Sequence, residues 1–157
     1  MKHSHILLAH GSGGRLSQQL IEEMFVSSFD KHAVPRELND GAVLALPPGK
    51  VVMSTDSFVI SPLFFPGGDI GKLAVSGTVN DLVACGSRPL YLSTAFILEE
   101  GFSLDSLRRI VQSMADTARL AGVELVTGDT KVVEKGSVDQ IFINTAGIGV
   151  VPDGVVY

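Results

Sequence analysis

Residues 71–92, GKLAVSGTVNDLVACGSRPLYL, decide how the chain folds. The stretch reads as a helix of small residues that carries the Asn80-Asp81 pair, is stopped by Gly86 and Pro89, and passes straight into a strand. Its neighbours at helical spacing (Ala74, Gly77, Thr78, Ala84 and Cys85) are nearly all small, so another backbone or a bulky ligand can approach that face. Asp81 is therefore expected not to be a solvated surface charge. Asp40, Asp56 and Asp129 stand in similarly apolar or Gly/Thr-rich surroundings. Four separated carboxylates in so apolar a chain are the main functional clue.

Upstream, residues 5–9 (HILLA) suit a short strand or an extended arm, followed by the glycine turn His10-Gly11-Ser12-Gly13-Gly14. A helix is predicted over about 16–29, because Leu16, Leu20 and Met24, with Ile21, Phe25 and Phe29, recur opposite Gln18, Gln19, Glu22 and Glu23. Residues 30–41 are a polar, turn-rich loop. Strands are predicted at 42–46 and 51–60 around Pro47-Pro48-Gly49, then a loop at 61–69 whose Phe64 and Phe65 are assigned to the core. Downstream, a strand covers 90–98. Ser103 is placed as the N-cap of a helix with apolar face Leu104, Leu107, Val111, Met114, Ala118 and Ala121, ending at Gly122. Further strands are predicted at 123–127, stopping at Gly128-Asp129-Thr130-Lys131, and at about 140–151. Consecutive strands without intervening helices argue against a wholly parallel sheet. The expected fold is α+β, a mixed β-sheet with helices on one face. Residues 1–151 read as one domain, and 152–157, opening Pro152-Asp153-Gly154, as the start of a linker.

A chain of 157 residues suits one domain and can bury a sizeable core without staples. Twelve Lys and Arg against 17 Asp and Glu give a net charge of −5, spread along the sequence, which excludes a basic nucleic-acid stripe. Cys85 is the only cysteine, so no internal disulfide or cysteine-based metal site exists, and it is read as a small buried residue. The first residues hold too short an apolar run for a secretory signal, and no stretch approaches the ~20 apolar residues of a membrane helix. The chain is read as cytoplasmic. An apolar content of 45% with 17 glycines is high for a monomer and points to a face awaiting a partner subunit or further domain.

The glycine turn opening a helix suits phosphate oxygens, which backbone N–H groups and a helix N-terminus both favour; the alternative is a flexible arm. It is not a full G-x-G-x-x-G, since Leu16 stands at the third glycine, and no acidic residue follows a second strand. Residues 66–72 (PGGDIGK) imitate a phosphate-binding P-loop and fail it: Pro66 replaces the first glycine, and Leu73 stands where a hydroxyl should hold magnesium. The aspartates carry more weight. Asp56 lies within a strand, where an unpaired carboxylate is costly, and Asp129 just after one. Mg²⁺ takes one or two carboxylates plus substrate phosphates, so separated aspartates meeting at one end of a sheet suit metal ions on a triphosphate. The alternative is that each caps a helix or a turn. The four histidines lack zinc-ligand spacing; His3 and His5 are read as a disordered arm, and His10 as a weak candidate for phosphate contact. Lys131, beside Asp129-Thr130, is either a solvated strand end or within reach of a phosphate or acyl oxygen.

HGSGG (10–14), NDGAVL (39–44), the run from Ser54 to Gly101 and VTGDTKVV (126–133), in this order, resemble the N-terminal domain of the HypE-type hydrogenase maturation factors. That family belongs to the aminoimidazole ribonucleotide synthetase-like superfamily, with selenophosphate synthetase and thiamine-monophosphate kinase, and the resemblance covers roughly residues 5–151. It implies a domain that binds ATP with Mg²⁺ and dimerises by closing two sheets into a β-barrel, with nucleotide sites at the homodimer interface. It further implies transfer of a carbamoyl group from the partner HypF to a cysteine near the C-terminus, work alongside the HypC–HypD scaffold, and ATP-dependent dehydration of the thiocarboxamide to a thiocyanate, the source of cyanide on the iron of [NiFe] hydrogenase. By motif, Asp56, Asp81, Asp129 and Asp40 would handle magnesium; Asn80 and Thr130 would assist the nucleotide. Gly11, Ser12, Gly13 and Gly14 would close over its phosphates, and Lys131 would lie near the thiocarboxamide.

The second domain and the acceptor-cysteine tail of that family are absent here, and Cys85, within a predicted helix, cannot replace the latter. The expectation is an N-terminal part that does not complete cyanide formation alone. Two alternatives stay open: another ATP-dependent enzyme of the superfamily, of the selenophosphate synthetase or thiamine-monophosphate kinase type, and a non-catalytic dimerisation and docking module.

Overall fold

The structure, a computed structural model, describes residues 3–29 and 41–154. A 3₁₀ turn at Leu8–Gly11 leads into a helical stretch made of α1 (Arg15–Leu20), a π-helical segment (Ile21–Val26) and the short α2 (Ser27–Phe29). Strand β1 (Lys50–Phe58) is followed by a small antiparallel hairpin, β2 (Phe64–Phe65) with β3 (Gly68–Asp69). Then come α3 (Ile70–Ala84), β4 (Arg88–Glu99), α4 (Leu104–Ala121), β5 (Glu124–Val133) and β6 (Ile141–Val151).

The main sheet has four strands in the order β1-β6-β4-β5. β6 is antiparallel to both β1 and β4, whereas β4 and β5 are parallel and joined by α4, so the sheet is mixed as expected. Strict alternation along β6 buries Ile141, Ile143 and Thr145 and leaves Phe142, Asn144 and Ala146 half-exposed. One face of the sheet is thus packed under helices and the other is bare. The core joins Leu92, Phe96, Leu98, Ile141 and Ile143 of that inner face to Ala74 and Val75 of α3, to Leu107, Ile110, Val111 and Met114 of α4, and to Leu20 and Met24.

The small residues of α3 are used by the protein's own backbone. A Cβ at Gly71 would lie 2.5 Å from the Ile110 carbonyl oxygen, and one at Gly147 of β6 would lie 2.8 Å from Leu82 and 2.9 Å from Thr78. At the centre of this contact Thr145 Oγ1 donates to the Ala74 carbonyl at 2.9 Å, which obliges the Thr78 hydroxyl, 2.6 Å away, to donate to Thr145. The helix is started by Asp69, whose carboxylate accepts from the Gly71 and Lys72 N–H groups. Ser103 caps α4 through the Ser106 N–H, and Gly122 ends it in the left-handed conformation at φ 69°.

Several expectations are corrected. Residues 42–46 form no strand: Pro47 and Pro48 lack N–H donors for a ladder, and Val43 is fully exposed. β4 starts at Arg88, so Pro89 lies inside the strand, where a bulge between Pro89 and Tyr91 tolerates it. β5 does not stop at Thr127 but runs through Gly128-Asp129-Thr130-Lys131, held by parallel pairing to Thr94–Ile97. Gly128 marks close approach rather than a turn, since a Cβ there would lie 2.3 Å from the Thr94 carbonyl oxygen. His3 and His5 are not on a disordered arm. His5 bridges Ser103, the Ile6 N–H donates to the Phe102 carbonyl at 2.8 Å, and Ile6 is wholly buried. Cys85 is exposed, because α3 ends one residue before it and turns its last residues to solvent. Phe64 and Phe65 are only half-buried, Phe64 packing on the core's edge under the Arg109 guanidinium at 4.1 Å.

Candidate functional site

Alternation places Ser54 and Asp56 of β1 on the helix-covered side, two residues apart and so roughly 7 Å along the strand. Gly77 and Asp81 of α3 are one turn apart on the helix face that meets them. The two pairs interlock: a Cβ on Gly77 would lie 3.4 Å from Asp56 Oδ2, and Ser54 Oγ donates to Asp81 Oδ2 at 2.9 Å. Asp56 and Asp81 therefore sit side by side along the α3–β1 seam, at the β1 edge of the sheet. Asp56 is half-buried and its Oδ1 accepts from the Ser57 N–H at 3.0 Å. Asp81 is exposed, against expectation, because it lies past the buried Thr78 contact, where the helix overhangs the sheet edge.

The remaining candidates among the described residues are not gathered there. Asp129 lies in the outward-facing row Ser57–Asn144–Ala95–Asp129 across the sheet, whereas Asp56 belongs to the inward row Asp56–Thr145–Thr94–Gly128. Three strand spacings, roughly 14 Å, and the thickness of the sheet part the two. Asp129 therefore does not meet Asp56 and Asp81, and among the described residues no group of three or more His, Cys, Asp or Glu is arranged to hold a metal. Lys131 is exposed, two residues beyond Asp129 on the same outward face. Thr130 points to the inner face, as does Val132, against which Gly11 packs so closely that a Cβ would lie 2.6 Å from the Val132 nitrogen. The glycine turn is thus seated on β5, on the same face as Thr130. Its Gly13 N–H donates to Ser17 Oγ at 3.0 Å, and Ser12, Gly13 and Gly14 are exposed. Asn80 is exposed beside Asp81; Asp40 lies outside the described residues. His10 is not free for a phosphate: it is buried, and its Nδ1 accepts from the Leu7 N–H.

Sequence reasoning missed Ser54, although its signal was present two residues before Asp56 in an alternating strand. It also missed Asn144, whose Nδ2 donates to the Asp56 carbonyl at 2.9 Å and Ser57 Oγ at 3.0 Å and so fixes the β1 backbone behind the acid. Two hard carboxylates side by side on one seam, Asp81 exposed and Asp56 half-buried, fit a Mg²⁺ ion that takes its other ligands from water and phosphates.

The sequence profile of the family described as AIR synthase related protein, N-terminal domain, matches residues 38–151. The chain belongs to this family. Within the AIR synthase related family it is similar to the carbamoyl dehydratase HypE of Cupriavidus necator, 57% identical over 156 residues, which are 99% of this chain and 44% of that protein. A crystal structure of the hydrogenase maturation protein HypE in complex with ATP superposes with a TM-score of 0.87 at 55% identity, covering 93% of this chain and 43% of that one. A HypE–HypF complex matches with a TM-score of 0.67 at 58% identity, covering 86% and 43%. The chain thus spans less than half the length of these relatives. Among the described residues no helix is long and apolar enough to cross a membrane.

Proposed function

We propose that this chain is the nucleotide-binding part of an ATP-dependent carbamoyl dehydratase that matures [NiFe] hydrogenase. The observation that carries this reading is the Asp56–Asp81 seam, set in a domain that resembles one solved with ATP. Asp56 and Asp81 would hold Mg²⁺, with Asp40 as a further ligand; bound ATP and metal supply a phosphoryl group for the amide oxygen and neutralise its charge. Asn80 would contact the nucleotide from the end of the seam. Across the sheet, Thr130 and the turn 11–14 lie on one face of β5, and the exposed Ser12 and Gly14 would present that turn to phosphate. In the whole protein, a cysteine S-carboxamide would lose its oxygen to phosphate and its protons to solvent, leaving a thiocyanate for the iron's cyanide ligands. This chain alone would not complete that reaction.

The bare sheet face supports the homodimer. Its ends are apolar, with Met53, Ile148 and Tyr91 in one row and Phe142 beside Ile97 in another, while Thr55, Ala146, Ser93 and Thr127 line the middle. A second copy closing on it as a barrel would bury these rows and take Asp129, as a further metal ligand, and Lys131, near the thiocarboxamide, into the interface. HypF as carbamoyl donor, the HypC–HypD scaffold and a cytoplasmic setting complete the proposal.

Calorimetric titration of ATP into the chain, with Mg²⁺ and then with EDTA, tests it. Magnesium-dependent binding that weakens at least tenfold in Asp81→Asn is the expected result. Binding indifferent to both metal and substitution would refute the seam as the site.

A further inference from the structure

The turn that carries the glycines is held by a histidine. His10 and Leu7 close a reciprocal pair: the His10 N–H donates to the Leu7 carbonyl at 2.9 Å, and the Leu7 N–H donates to His10 Nδ1 at 2.9 Å. An imidazole that accepts at Nδ1 must be neutral, with its proton on Nε2. The ring is buried, and the 3₁₀ turn it closes ends on Gly11, wedged against Val132 of β5. The next links depend on the same turn. The Ala9 carbonyl accepts from Ser12 Oγ at 3.1 Å and from Ser17 Oγ at 3.3 Å, and Ser17 Oγ in turn accepts from the Gly13 N–H. Order passes by this route from one ring to the whole run His10–Gly14.

We propose that neutral His10 is a positioning residue that latches the glycine turn onto β5, and that protonating it at Nδ1 releases the turn. The latch stands on its own geometry; its consequence for ATP rests on the nucleotide reading above.

Among the described residues of the arm, β5 and α1, no anionic group faces the ring to compensate a cation. The arm sets the His3 ring edge-on at 5.9 Å, itself a base. β5 turns Val132 to the site, so Lys131 points through the opposite face of the sheet, as does Asp129. On α1 the only charge is Arg15, which is exposed. Burial, with the His3 ring adding to it, outweighs the Leu7 backbone contact, which acts the other way, and holds the His10 imidazole below the ordinary histidine value. A group held low when latched and ordinary when released gives a definite pH window. The latch is intact above the free histidine value of about 6.5 and weakens as pH falls below it, by up to about tenfold per pH unit, until the lowered value is passed.

The experiment is amide hydrogen exchange by NMR on this chain between pH 7.5 and 5, corrected for intrinsic rates, with the His10 ring shifts followed in parallel. Protection at Leu7 and Gly13 is expected to be flat above pH 7 and to fall about tenfold per unit below 6.5, while amides of β4 and β6 stay protected. His10→Asn, which retains an acceptor near Nδ1 and does not titrate, should keep that protection at pH 5. Flat protection while the His10 ring titrates would overturn the latch, and so would an Asn variant that follows the wild-type profile. ATP titrations over the same range separate the two readings. Affinity falling with protection joins latch to nucleotide; affinity indifferent to an open latch overturns the phosphate role of residues 11–14 and leaves the latch standing.

Discussion

Thr145 and Thr94 sit opposite each other on β6 and β4, both buried, and differ only in what their hydroxyls meet. Thr145 links the Ala74 carbonyl to Thr78, while Thr94 Oγ1 has no partner among the described residues. Replacing Thr145 by Val strands two polar groups and should cost about 1–3 kcal/mol in urea unfolding. Thr94→Val removes an unsatisfied group and should be neutral or slightly stabilising. Equal losses at both positions would contradict the hydrogen-bond account. Gly77 poses a sharper contest. Alanine gains helix propensity of about 1 kcal/mol, yet its Cβ would lie 2.8 Å from Cζ of the buried Phe58 ring, and overpacking costs about 1–3 kcal/mol. A net loss near 1 kcal/mol is expected, together with weaker Mg²⁺-dependent ATP binding as the displaced Phe58 ring shifts β1 beside Asp56. Calorimetry and unfolding on the same sample check both.

At the level of elements, α4 is the part most plainly written in the chain. Its apolar rhythm from Leu104 to Ala118, Ser103 cap and Gly122 stop reappear in the fold, only Ala121 turning to solvent at the helix end, and Ser103→Ala should lower stability by about 1 kcal/mol through the lost Ser106 bond. A thermal melt measures it. The mixed sheet with helices on one face was also legible, because helices and strands alternate unevenly. What local pattern did not convey was pairing. Residues 42–46 are a short apolar run that pairs with no strand among the described residues, while Gly128-Asp129-Thr130-Lys131 looks like a turn and is held extended by β4. The same gap explains the candidate site. Asp56 and Asp81 were identifiable as unusual, but that Asp129 belongs to the opposite face follows from a register no single segment records. Cys85 was misread for a related reason: composition says cysteine is a burying residue, and its position at a helix end says otherwise.

For the whole molecule, the decisive asymmetry is between the two faces of one sheet. The inner face is sealed by α3 and α4, and the outer face leaves Met53 at 71% and Val51 at 54% exposure. Met53→Asp should abolish self-association, read by sedimentation velocity across a hundredfold concentration range, with little effect on the monomer's melting temperature. A wild-type chain that sediments as a monomer throughout would remove the barrel.

The strand order carries a consequence for how such a chain comes into being. β6, the last strand made among the described residues, is inserted between β1 and β4, so that Asp56 waits for Thr145 and every rung of the central ladder spans a long stretch of sequence. A ribosome delivering this chain releases α3, β4, α4 and β5 before the strip that unites them, at about 5–20 residues per second. For those seconds the apolar inner face lacks its middle. The four-stranded sheet can therefore close only late, when Ile141–Val151 emerges.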